Sequence, residues 1–82
     1  MMGFTVVGTM RPDWGPLALH VPPSEREDFM WMHRDGGINF YKHIVTRRYL
    51  MIDAGGNCLR WDRKGLQVVD FGPEYLRVTG ME

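Results

Sequence analysis

The sequence predicts a small α+β domain: an N-terminal β-hairpin, one short helix over residues 25–34, then an antiparallel β-meander forming a curled sheet or small open barrel. Three observations predict it. After residue 38, short runs of β-branched and aromatic residues recur at hairpin spacing, separated by clusters of Gly, Asp and Asn. Before them, Ser24 and Glu27 stand at capping-box spacing and Gly36-Gly37 offers a left-handed stop, which together bracket one helix. Finally, 82 residues suffice for one modest core, so residues 1–82 are read as a single domain.

Phe4 to Met10 is rich in β-branched residues and reads as a strand, ended by the Pro- and Gly-containing run from Arg11 to Pro16. Leu17 to Val21 reads as the second arm of the hairpin. It is closed by Pro22-Pro23, which have no N–H to donate to a ladder. In the helix that follows, Glu25, Glu27 and Asp28 crowd the first turn and Arg34 sits near the carbonyl end, as the helix dipole favours. Helical spacing puts Phe29, Met30, Met32 and His33 on one arc and turns Trp31 away from it. A buried strand is the competing reading of Phe29–Met32, because four consecutive apolar residues do not fix a period.

The meander strands are expected over Ile38–Val45, Tyr49–Asp53, Asn57–Trp61, Leu66–Phe71 and Tyr75–Thr79. Ala54-Gly55-Gly56-Asn57 and Asp62-Arg63-Lys64-Gly65 supply the positive φ that tight hairpins need, and Gly72-Pro73 breaks the fourth strand. Loops this short force antiparallel neighbours. The core expected from this pattern contains Phe40, Ile44, Leu50, Ile52, Leu59, Val69, Phe71, Leu76 and Val78.

Composition narrows the function classes. Hydrophobic residues make up 44% and charged residues 24%, the balance of a folding chain rather than a disordered one. No stretch has the length of apolar sequence a membrane helix requires, and the single Cys58 points to a reducing, cytoplasmic setting rather than a disulfide scaffold. Net charge is zero, so the overall positive field of a strongly basic nucleic-acid binder is absent. Charge is nevertheless uneven. Arg34, Lys42, Arg47, Arg48, Arg60, Arg63 and Lys64 outnumber Asp35, Asp53 and Asp62 in the middle of the chain.

No catalytic set is legible. Cys58 with His33 or His43 could in principle make a thiol–imidazole pair, but no family signature surrounds the cysteine. His20, His33, His43 and Cys58 lack the close spacing of a structural zinc site, so neither a metal nor a cofactor is expected.

Two binding readings are open. In the first, the chain is a non-enzymatic protein-interaction module, dimeric or not, that masks a surface of a larger protein or complex through Trp14, Trp31, Arg34 and Tyr41. In size and character this profile resembles the small inhibitors encoded by phages and other mobile elements. In the second, Lys42, Arg47, Arg48, Tyr49, Arg60, Arg63 and Lys64 form a basic, aromatic sheet face for single-stranded nucleic acid.

Overall fold

The computed structural model describes residues 11–81, so the strand expected over Phe4–Met10 lies outside the described residues. The described elements are α1 (Gly15–Ala18), α2 (Pro23–Arg26), β1 (Phe29–Asp35), β2 (Ile38–His43), β3 (Tyr49–Asp53), β4 (Cys58–Asp62), β5 (Gly65–Val69) and α3 (Phe71–Thr79). Among the described residues, the five strands form one antiparallel sheet in the order β1-β2-β3-β4-β5, an open meander with β1 and β5 at its edges.

Three expectations are corrected. The segment read as a helix over 25–34 is helical only for the single turn Pro23–Arg26, and Phe29–Asp35 is strand β1. Pro22, not Ser24, holds the N-cap, and no side chain caps the turn. Gly36 and Gly37 both have positive φ, at 58° and 80°. They close a two-residue hairpin in which Asp35 faces Ile38, rather than ending a helix. From Phe29 to Met32 burial alternates with period two, Phe29 and Trp31 turning inward; the extra residue Met32 then makes a bulge between Trp31 and His33.

The second correction concerns Leu17–Val21, which is not a strand. Leu17 belongs to helix α1, and the backbone bonds of His20 and Val21 to the Leu17 carbonyl wind the next residues into a turn.

The third concerns Tyr75–Thr79, which is helix α3 rather than a fifth meander strand. Pro73 reads as a breaker, but it sits in the first turn of α3, where an N–H has no intrahelical partner to lose. Phe71, Glu74, Tyr75 and Val78 follow at helical spacing and supply the side that packs inward. Gly80, at φ 80°, ends the helix, and Met81 N–H donates to the Leu76 carbonyl at 2.9 Å, the closing bond of a Schellman cap.

The register divides the sheet into two faces. On the inner face Phe29, Tyr41, Leu50, Ile52 and Cys58 pack with Leu17, Val21 and Val78 from the flanking segments. Each fully buried aliphatic chain there contributes about 1.5–3 kcal/mol. Of the expected core, Leu50, Ile52, Leu59 and Val78 are buried and Phe40, Val69 and Phe71 half-buried, whereas Ile44 and Leu76 are exposed. The β2–β3 loop is tied to the end of α3. Thr46 Oγ1 donates to the Val78 carbonyl and Arg48 Nη1 to the Arg77 carbonyl, two of the acceptors a helix end leaves open.

At the β3–β4 turn, Asp53 accepts from the Gly55 and Asn57 N–H groups at 2.9 Å each and from the Asn57 amide at 3.2 Å. The Asn57 bonds hold its carboxyl below the usual value of 3.8. The stabilisation is therefore complete above 3.8 and lost as the pH falls through the lower folded value. The thermal midpoints of wild type and Asp53→Asn are expected to differ at neutral pH and to converge in acid; a gap independent of pH would contradict this.

Candidate functional site

Four residues expected to form a protein interface, Trp14, Trp31, Arg34 and Tyr41, come together on the inner side of the sheet, Tyr41 buried, Trp14 and Trp31 half-buried and Arg34 exposed. Tyr41 is 0% exposed. Its ring lies 5.6 Å from that of Trp14, and its hydroxyl donates to the Asp13 carbonyl at 2.6 Å. Burial, reinforced by the Asp13 charge, raises the Tyr41 hydroxyl to about 12. Arg34 reaches the Asp13 carboxylate at 3.6 Å, and Trp31 Nε1–H donates to the buried Asn39 Oδ1 at 2.8 Å. The group clamps residues 13–17 onto the inner face of the sheet.

The basic and aromatic set is divided by the register. Arg60 belongs to the inner side, where it reaches Glu74 at 3.5 Å, and Arg48 is bonded to the end of α3. Lys42 and Tyr49 lie together on the opposite, outer face, with the Lys42 ammonium 5.8 Å from the Tyr49 ring centroid. Arg47 is in the β2–β3 loop and Arg63 and Lys64 in the β4–β5 turn, at the same end of the sheet.

The outer face carries a surface that residue types alone do not identify. Cross-strand pairing aligns His33, Phe40, Met51, Leu59 and Val68 in one row across all five strands. Beside it, Met30, Lys42 and Tyr49 align on β1–β3, and Trp61 and Leu66 on β4–β5. On the other side stand Asp35, Ile38 and Asp53. Ring contacts tie the strands together: His33 stacks on Phe40 at 4.3 Å, and Phe40 meets Tyr49 edge-on at 6.4 Å. Met51 and Leu59 in the middle are buried, whereas Met30, Tyr49, Trp61 and Val68 around them are exposed, Trp61 by 63% and Val68 by 69%. Trp61 follows Arg60 directly in the sequence; only the register shows that it occupies the opposite face.

The pairings of Cys58 with His33 or His43 are not assembled. Cys58 lies on the inner face of β4, and burial, then the Glu74 charge, raises its thiol to about 12. His33 is on the outer face. His43 is two strands from Cys58 and four residues along β2 from its row, roughly 9 Å across and 13 Å along. Its Nδ1 accepts from the Val45 and Thr46 N–H groups at 3.2 Å, so that nitrogen is already used in the loop. Cys58 is accordingly expected to react with a thiol reagent on the timescale of unfolding. Labelling as fast in buffer as in denaturant would contradict this.

Two clefts indent the inner side, one of about 280 Å³ lined by Trp14, Pro23, Arg26, Glu27 and Phe29 and one of about 300 Å³ around Arg60, Glu74 and Arg77. Among the described residues, no group of three or more His, Cys, Asp or Glu is placed to hold a metal ion, and no helix is long and apolar enough to cross a membrane. Comparison with family models, curated proteins and solved structures finds no match to this chain.

Proposed function

We propose that the protein is a non-enzymatic interaction module that masks an apolar surface of a larger protein or complex with the outer face of its sheet. The observation that carries this reading is the exposed Trp61 and Val68 bordering the continuous row from Phe40 to Leu59. Single exposed apolar residues are ordinary, but exposed Trp61 and Val68 are neighbours on adjacent strands, and exposed apolar residues grouped in this way mark a contact surface. An exposed tryptophan beside a packed apolar centre is also the usual anchor of a protein interface. A buried, unreactive Cys58 suits a cytoplasmic setting, and a small domain whose exposed chemistry is a contact face suits an inhibitor of the phage-encoded kind.

One observation favours single-stranded nucleic acid as a second reading: Lys42 and Tyr49 on the outer face, with Arg47, Arg63 and Lys64 at that end of the sheet. It has the weaker support, since Arg48 and Arg60 are engaged elsewhere.

Immobilised wild type and Trp61→Ala, an exposed position whose truncation leaves the core intact, are to be compared for capture from lysate of the source cell. The proposal expects a protein retained through a high-salt wash, bound roughly thirtyfold more weakly by Trp61→Ala. Equal retention by both would overturn it. So would binding only to an oligonucleotide, with an affinity that falls steeply with salt.

A further inference from the structure

The two edges of the sheet are built differently. β1 carries a bulge at Met32 and ends in His33-Arg34-Asp35, the bulge and charge that keep an edge strand from pairing with another chain. β5, Gly65-Leu66-Gln67-Val68-Val69, has neither charge, proline nor bulge, and its register with β4 runs unbroken from Asp62–Gly65 to Cys58–Val69. Among the described residues, β4 is its only ladder partner. α3 leaves the end of β5 and packs back over β3, away from this edge.

We propose that β5 is the pairing edge of a homodimer: a second copy of this chain adds its own β5 antiparallel, about a two-fold axis through Gln67. Such an axis makes a self-complementary contact, and the side chains of β5 suit it. Leu66 faces the partner's Val68 on the outer face, Gln67 meets the partner's Gln67 amide to amide, and Val69 faces the partner's Gly65. The same register sets Lys64 in the exposed β4–β5 turn against the partner's Asp70, and Asp70 against the partner's Lys64. This charge complementarity selects a second copy over an unrelated strand. The result is a ten-stranded sheet in which the outer-face rows of both copies run on across the junction. It leaves the face around Trp61 open and does not depend on what that face binds.

Sedimentation equilibrium of the full chain tests the pairing, with far-UV circular dichroism confirming that each variant is folded. Wild type is expected to be dimeric at high micromolar concentration. Lys64→Glu sets like charges opposite each other at both ends and is expected to raise the dissociation constant roughly fivefold. Lys64→Glu with Asp70→Lys restores the opposite charges and should recover most of the loss. Under mild oxidation, Gln67→Cys, which meets its own copy at the axis, is expected to cross-link faster than Leu66→Cys, whose copies are offset along the strands. The proposal is overturned if wild type stays monomeric, if the double variant dimerises no better than Lys64→Glu, or if Leu66→Cys cross-links as fast as Gln67→Cys. It is equally overturned if β5 pairs only with a strand of another protein.

Discussion

Tyr41→Ala is expected to destabilise the fold by about 4 kcal/mol, the scale for removing a fully buried aromatic. Tyr41 has no exposed surface, packs on Trp14 and donates to the Asp13 carbonyl. Truncation therefore opens a cavity and frees the segment that brings Leu17 into the core. Tyr41→Phe keeps the ring and removes only the donor, for an expected loss of about 1 kcal/mol. The hydroxyl's ordinary value of 10.0 is raised to about 12 in the fold, so its contribution is complete below 10 and disappears as the pH rises toward 12. Urea unfolding should show the alanine variant far below the phenylalanine variant, and the latter should have a flatter alkaline limb than wild type. An alanine variant as stable as wild type would mean that the ring is not a core element.

The second large effect centres on Glu74, a carboxylate only 2% exposed. Arg77 donates to it through Nε at 3.0 Å and Nη2 at 2.7 Å, a bidentate pair that Arg60 supplements at 3.5 Å. Arg77→Met keeps the apolar stem but leaves a buried carboxylate with only the longer contact, and about 3 kcal/mol of stability should be lost. Glu74→Met with Arg77→Met removes both charges and is expected to recover most of that loss, because breaking a buried pair costs more than replacing it. Arg60→Met should change little, since Arg60 is half exposed and its contact is long. A double variant no more stable than Arg77→Met would place the effect in packing rather than in the stranded charge.

The middle of the sheet was legible because turn chemistry there has one reading. Gly55-Gly56 and Asp62–Gly65 lie between alternating runs, and β2 to β5 fall within about two residues of the expected spans. The ends were not legible, because the same residues serve two structures. Left-handed Gly36-Gly37 fits a helix stop as well as a hairpin, and Pro73 fits a strand break as well as a first helical turn. Period two and period 3.6 could not be told apart over Phe29–Met32; the pairing of Phe29 with His43 and Trp31 with Tyr41 selects the strand.

Residue types gave the site only in part. Tyr41 and Trp31 have the character of interface anchors, but parity puts them beneath the sheet, whereas Phe40, Tyr49 and Trp61 lie on the outer face. That parity is fixed by the connections between consecutive strands and by the bulge in β1, and shifting any of them by one residue would exchange the faces.

Oxidative footprinting of the protein, free and bound to the partner it captures, tests the outer face most directly. If that face is the contact surface, Trp61, Tyr49 and Met30 lose reactivity on binding, while the exposed Val45 and Met81, away from its rows, keep theirs. Protection of Val45 and Met81 with Trp61 still fully reactive would place the partner elsewhere and contradict the account.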